Sequence, residues 1–262
     1  MIEKQIRTPI SYYGGKQMMV RHILPMIPKH SNYIEPFFGG GAIFWAKPKS
    51  DVEVINDANG NVINFYEVLK HDFSSLKHLV ETTLHSRMVY KKAMVIYDLP
   101  QLFSPVQRAW AFWVTTNMGY SSKIGSWAFD YNGKCERKMQ TKIEEFTDIY
   151  SERLKHVCIE SRDACEVIEA RDRENVFFYI DPPYVDSNQG HYAGYTQEHF
   201  NRLLLVLSSC TGKFLLSSYP NDSLTSFVTK YGWYQKEISM TLSASNTKSK
   251  KKVEVLTANY PI

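Results

Sequence analysis

The sequence predicts an α/β fold: a mostly parallel sheet whose strands alternate with helices, closed by an antiparallel strand pair and interrupted by a mainly helical insertion. Three observations predict it. Short apolar runs at 32–34, 52–55, 157–159, 176–180 and 213–217 are separated by stretches of helical periodicity. The run Val176-Phe177-Phe178-Tyr179-Ile180 shows no polar alternation, as a parallel strand covered on both faces requires. Between 71 and 156 the strand–helix rhythm stops and helical patterns follow one another.

Taken in order, the first two strands precede a helix in which Val62, Phe65, Tyr66 and Leu69 recur at helical spacing. Residues 1–70 and 157–262 are therefore read as one core and 71–156 as the insertion. Helices are expected there over 73–84, 88–97, 106–118 and 143–154, the third opened by Ser104-Pro105. Among them lies GYSSKIGSWAFDYNGKCERK, where Asn132-Gly133 predicts a β-hairpin over 127–138. After the core resumes, Phe200, Leu203, Leu204 and Leu207 mark a helix capped by Thr196. WYQKEISM and VEVLTANY read as the closing antiparallel pair.

Bulk properties narrow the function classes. The chain has 262 residues, 44% of them apolar and 22% charged, which is globular composition. The 14% aromatic content supplies both core and stacking surfaces. A net charge of +4, from 31 basic against 27 acidic residues, is compatible with a polyanion but does not demand one. Cys135, Cys158, Cys165 and Cys210 form no CxxC pair and read as reduced, mostly buried thiols. No apolar run approaches the ~20 residues of a membrane span, and MIEKQIRTPI carries no signal core, so a soluble intracellular protein is expected.

Candidate chemistry begins with Asp181-Pro182-Pro183-Tyr184, directly after the apolar strand. Ligand sites in open α/β sheets lie beyond the carboxyl ends of strands. The prolines fix φ and lack N–H groups, so they hold a stiff turn with carbonyls free to face a cleft. A carboxylate beside a free carbonyl gives two acceptors for the two hydrogens of an amino group. Such a pair pulls an amine like that of adenine toward tetrahedral geometry and localises its lone pair for attack on a sulfonium methyl. Tyr184 offers a face on which an extruded base can stack. Read alone, the tetrapeptide also fits a Pro-rich turn with a solvated carboxylate.

A second group is Tyr33 through Gly41, a strand running into three glycines that let a ligand approach the backbone. Phe37, Phe38 and Phe44 pin those glycines, and Phe44 stands where a dinucleotide fingerprint would need glycine. Asp57 ends the next strand about twenty residues on, where an acid commonly holds ribose hydroxyls. Asp163 follows the strand at 157–159. Each acid alone is commonly a helix cap, but each of three acids stands just after a strand of one sheet. Ser11-Tyr12-Tyr13-Gly14-Gly15-Lys16 lacks the full P-loop pattern, although Lys16 could pair with a carboxylate and Tyr12 could cover an adenine ring.

The segments YYGGK, IEPFFGGGAIFW, VINDAN, ESRDA, YIDPPY and KKKVEVL, in that order, resemble the Dam-type DNA adenine methyltransferases over nearly the whole chain. The resemblance implies a Rossmann-like S-adenosylmethionine-dependent methyltransferase core with a target-recognition insertion. It makes Asp181, Pro182, Pro183 and Tyr184 the catalytic tetrapeptide. Tyr12, Lys16, Glu35, Phe37, Gly39, Gly41, Asp57, Asp163 and Asp181 become the expected cofactor-binding set. Double-stranded DNA is the implied partner, with no membrane and no metal, because the donor is already an activated sulfonium. A separately encoded restriction endonuclease is a further candidate partner. The insertion does not reproduce the residues that read GATC, so the target sequence is not implied.

The expected DNA-binding residues are Lys123, Trp127, Lys134, Arg137 and Lys138, interleaved with Tyr120, Phe129 and Tyr131, together with Lys250, Lys251 and Lys252. The loop 185–195 is expected to close over a flipped base. The reading is methyl transfer to the N6 amine of adenine in duplex DNA, in the cytoplasm of a prokaryotic cell or, if phage-encoded, of the host. Alternatives are an RNA or protein-glutamine amino-methyltransferase, and a catalytically inactive nucleic-acid-binding relative.

Overall fold

Seven strands form one sheet in the order β3-β2-β1-β4-β5-β7-β6. They are β1 (Asn32–Glu35), β2 (Val52–Asn56), β3 (Cys158–Glu160), β4 (Val176–Ile180), β5 (Lys213–Ser218), β6 (Tyr234–Thr241) and β7 (Lys251–Ala258). The computed structural model describes residues 6–185, 194–241 and 251–262, with the side chains of 240, 241, 251 and 252 outside that description. β1, β4 and β5 run parallel, with Ile34 opposite Phe178 and Ile180 opposite Leu216. β7 runs antiparallel to both β5 and β6. All five residues of β4 are buried, as its unbroken apolar run requires.

The helices are α1 (Val20–Ile23), α2 (Ala42–Ala46), α3 (Gly60–His71), α4 (Phe73–Glu81), α5 (Arg87–Asp98), α6 (Pro105–Asn117), α7 (Lys134–Glu144), α8 (Ile149–Leu154), α9 (Ala164–Arg171), α10 (Gln197–Ser208) and α11 (Asp222–Tyr231). Their starts are chemically marked. Ser104 and Gln107 form a capping box ahead of α6, with Pro105 at the first helical position. Thr196 and His199 do the same for α10. None of the described helices is long and apolar enough to cross a membrane.

The chain divides into two compact units, residues 1–24, 38–48 and 55–161, and residues 25–37, 49–54 and 162–262. The first contains α2 to α8 and an aromatic core. Phe38, Phe44, Trp45, Phe65, Tyr66, Phe112 and Tyr150 are all buried in it, and the Phe38 and Tyr66 centroids lie 4.7 Å apart. In the second unit, alternate residues of β1, β4 and β5 (Ile34, Phe178, Ile180, Phe214, Leu216) pack against α9, α10 and α11 through Val167, Leu203, Leu204 and Leu224.

Three expectations need correction. The hairpin at 127–138 is absent: Gly119 and Trp127 make one isolated bridge, and α7 begins at Lys134. Gly133 is not the second residue of a hairpin turn but the left-handed N-cap of α7, φ 66°. Asp130 accepts from the backbone N–H groups of Asn132, Lys134 and Cys135 at 2.8, 3.0 and 2.6 Å, which supplies the helix start. Those bonds, that of Lys134 first, hold its carboxyl well below the usual range. The helix expected over 143–154 is two, because the chain turns at 145–148 and buries Phe146 between them. Cys165 alone of the thiols is fully buried, and Cys158 is exposed.

Candidate active site

In the first unit the glycine loop is assembled around a carboxylate. Phe38 N–H donates to the Asn56 carbonyl at 2.9 Å, and Gly39 N–H donates to Asp57 Oδ2 at 2.8 Å. Asp57 Oδ1 accepts from Asn59 N–H at 2.8 Å, and Asn59 in turn caps α3. The Tyr66 hydroxyl donates to the Gly39 carbonyl at 3.0 Å. Asp57, expected as a ribose ligand, thus also fixes the backbone of the loop it would serve. Two glycines are obligatory for internal reasons. Gly39 has φ 48°, and a Cβ there would lie 2.9 Å from Tyr12 Cε1. Gly41 has φ 63°, and its Cβ would lie 2.3 Å from Phe38 Cζ. The space left by the missing side chains is filled by the protein's own rings. Tyr12 is therefore beside Gly39, and Lys16 is buried in the same unit.

In the second unit the parallel register of β1 and β4 brings Glu35 and Asp181 to the same end of the sheet. Glu35 is buried and accepts from the Tyr33 hydroxyl at 2.7 Å. Asp181 is half-buried, immediately past β4. Burial raises the Tyr179 phenol well above its ordinary pKa, and Asp181, Glu35, Tyr184 and Glu254 add to the rise. Its hydroxyl is buried with no hydrogen-bond partner among the described residues, so it stays a protonated donor beside the site carboxylates.

The 181–184 turn opens onto a cavity of about 210 Å³, lined by Pro182 to Val185 on one side and by Phe200 and Ser218 to Asn221 on the other. That is below the about 300–1,000 Å³ of drug-sized sites and suits a single flat ring. Tyr184 and Tyr219 face each other with centroids 4.1 Å apart. The Tyr184 hydroxyl donates to Glu254 Oε1 at 3.0 Å, and the Ser217 hydroxyl donates to the same oxygen. Ser218 Oγ is buried with no partner among the described residues.

Asp163, one of the expected cofactor-binding residues, caps α9 through the Glu166 N–H at 3.1 Å and accepts from Arg202 at 3.0 Å. Phe37 meets Tyr195 edge to face, centroids 6.3 Å apart. Burial, reinforced by Cys165 and Asp163, pushes the Tyr195 phenol up, and its buried hydroxyl has no partner among the described residues.

The expected DNA-binding residues Lys123, Lys134, Arg137 and Lys138 are exposed. Lys123 Nζ lies 4.8 Å over the Tyr13 ring, and Arg137 donates to the Asn132 carbonyl at 2.9 Å. Trp127 stands in a ladder that the sequence did not suggest. It stacks on His85 and on Phe129, with centroids 5.4 Å apart in each pair. The Arg87 guanidinium covers Trp127 at 4.6 Å. Tyr131 meets Phe129 edge-on. Lys250 and most of the loop 185–195 fall outside the described residues, as do the side chains of Lys251 and Lys252.

Sequence reasoning also missed Glu254, Tyr179 and Tyr219. Glu254 lies on β7, an interior strand of the sheet, and the sequence alone does not show which face of that strand it takes.

The model of the D12 class N6 adenine-specific DNA methyltransferases matches residues 12–242. The chain belongs to that family. The Type II methyltransferase M1.LlaDCHI of Lactococcus lactis subsp. cremoris is 28% identical to it, over 97% of this chain and 96% of that one. The DNA adenine methylase of Vibrio cholerae O1 is 24% identical, over 73% and 71%. The DNA N-6-adenine-methyltransferase of Escherichia phage P1 is 27% identical over 68% of this chain, which spans only 24% of the phage protein. The chain is thus an adenine-specific DNA methyltransferase by family, with a DNA substrate.

Proposed function

We propose that this chain transfers a methyl group from S-adenosylmethionine to the N6 amine of an adenine extruded from duplex DNA. The observation that carries the reading is the 181–184 turn, placed at the end of a buried parallel strand and opening onto a ring-sized cavity faced by Tyr184 and Tyr219. Asp181 and a carbonyl of the proline pair accept the two amine hydrogens and localise the nitrogen lone pair. Tyr184 stacks the base, whose release from the duplex costs a few kcal/mol of stacking and pairing. The exposed cations and aromatics of 120–138 hold the duplex.

The residues present fit the proposed methyl donor. The buried Tyr195 hydroxyl, which has no partner among the described residues, and the Phe37 ring edge-on to it supply a donor and an aromatic surface of the kind an adenine ring would use. In the first unit Asp57, Lys16 and Tyr12 supply charged and aromatic groups that suit such a donor, and in the second Glu35 supplies a buried carboxylate. When bound, the sulfonium supplies an electrophilic methyl, and the chain's own groups orient the amine and exclude water. The Type II names among the relatives support a restriction–modification role, with a separately encoded endonuclease sharing the target.

The test is expression in a host lacking adenine methylation, followed by sequencing that detects modified adenines, with tritium transfer to duplex DNA, RNA and protein in parallel. The expected result is label in duplex DNA, on N6 of adenine within a short recurring sequence. Label confined to RNA or protein would overturn it.

A further inference from the structure

We infer that Glu254 is a positioning residue for methyl transfer, holding the Tyr184 ring in place from its hydroxyl end. The inference rests on the methyltransferase reading and deepens it. Tyr184 leaves a turn whose two prolines stiffen the backbone but leave the side chain free to swing between χ1 rotamers, each of which carries the whole ring to a different place. A stacking platform has to stay in one place, because the reacting amine is aligned with the methyl donor only when the base lies against it. The far end of the ring is tethered. The Tyr184 hydroxyl donates to Glu254 Oε1 at 3.0 Å, across seventy positions of sequence. Glu254 is 3% exposed, so its carboxylate, which can only accept, has hydroxyl donors in place of water. Ser217, on β5, donates to the same oxygen and locks the carboxylate from the neighbouring strand. On its other side Tyr184 meets Tyr219, centroids 4.1 Å apart. Ring, phenol and acid form one braced unit along the cavity wall. An acid buried in an interior strand costs free energy, and an apolar residue would serve packing alone better. What the acid adds is a directional anchor for the base platform.

Three variants test this: Glu254→Met, which keeps the volume without an acceptor; Glu254→Gln, which keeps the acceptor oxygen; and Tyr184→Phe, which removes the donor. Single-turnover methylation is measured with saturating S-adenosylmethionine and duplex DNA, together with the dissociation constants of both ligands. A 2-aminopurine at the target position reports base extrusion by fluorescence. Glu254→Met and Tyr184→Phe should each slow the methyl-transfer step by about tenfold to a hundredfold. Both dissociation constants should stay within about twofold, and Glu254→Gln should recover most of the rate. The double variant Glu254→Met/Tyr184→Phe should be no slower than either single one, since both cut the same link. A wild-type rate in Tyr184→Phe overturns the inference, and so does a multiplicative double variant. If Glu254→Met fails to fold, Tyr184→Phe and Glu254→Gln still decide it. Wild-type protein that labels no adenine would instead refute the methyltransferase reading, leaving the cycle without a signal to compare.

Discussion

The glycine loop at 38–41 and the segment at 119–133 are built from the same parts and used in opposite ways. Each combines glycines with aromatic residues, and in each an aspartate gathers backbone N–H groups: Asp57 from Gly39 and Asn59, Asp130 from Asn132, Lys134 and Cys135. Asp57 is 1% exposed, and the rings around its loop, Phe38, Phe44 and Tyr66, are buried. Around Asp130 the rings point outward, Phe129 at 52% and Tyr131 at 96% exposure. The aspartate device fixes backbone in both places. What it fixes differs: in the first case a wall that other side chains press against, in the second a platform of unburied rings. Turn chemistry therefore sets shape, and burial of the adjoining rings tells framework from contact surface.

The largest expected effect lies outside both regions and calibrates them. Asp181→Ala should cut methylation on the order of a thousandfold with the fold retained, as loss of a directed electrostatic contact does. A folded variant with near-normal turnover would remove Asp181 from the chemistry. Next, the comparison itself can be broken with paired glycine substitutions. Gly41→Ala puts a Cβ 2.3 Å from the Phe38 ring at positive φ and should cost ~4 kcal/mol in denaturant unfolding. Gly133→Ala has similar φ, but its nearest neighbour is the Arg137 side chain at 3.3 Å, so the cost should be only ~1 kcal/mol. Equal losses would show that strain alone, not the packed ring, governs both positions.

A third prediction concerns Lys142 on α7, a basic residue of the contact region that behaves like framework. Burial holds its ammonium at about 8, below an ordinary value of 10.5, and Nζ donates to the Thr8 carbonyl at 3.2 Å. Between those two pH values the unfolded chain binds more protons than the native one, so this group makes stability rise as pH rises through that window. Lys142→Met should remove that rise, whose full size is ~3 kcal/mol. Parallel stability–pH curves for the two proteins between pH 7.5 and 10 would contradict the burial argument. The smallest effect is on specificity. Arg137→Ala should relax the methylated sequence by ~2 kcal/mol of discrimination, whereas Lys123→Ala should weaken binding to all sequences alike and lower the salt slope by about one. Genome-wide adenine maps and salt titrations separate the two; unchanged selectivity in Arg137→Ala would leave that residue holding only the Asn132 carbonyl.

Much of this was legible in the chain itself, and where it was not the reason is physical. The strand β4 announced itself because a parallel strand covered on both faces is apolar throughout, and Ser104-Pro105 and Thr196 announced their helices through capping chemistry. The segment after Asn132-Gly133 was misread because that dipeptide serves a hairpin and a helix start equally well. The decision lay in Asp130, three residues upstream, and in KCERKMQTKIE, which carries helix formers rather than alternating β-branched residues. The 181–184 turn was visible as a contiguous motif. Its anchor was not, because the bond from Tyr184 to Glu254 depends on where β7 sits in the sheet. The stacking of His85 on Trp127 escaped for the same reason, because it joins residues far apart in the chain.

The position of β7 between β5 and β6 also sets a timetable for synthesis. A chain extended only to residue 241 carries the 181–184 turn, β5 and β6, yet β5 and β6 each still lack their shared partner. Until 251–258 emerge, those strands present unpaired N–H and C=O groups, an open invitation to wrong pairing. The same late segment brings Glu254. A nascent chain thus possesses its reacting groups before it possesses the tether that aims one of them, so competence arrives together with closure of the sheet.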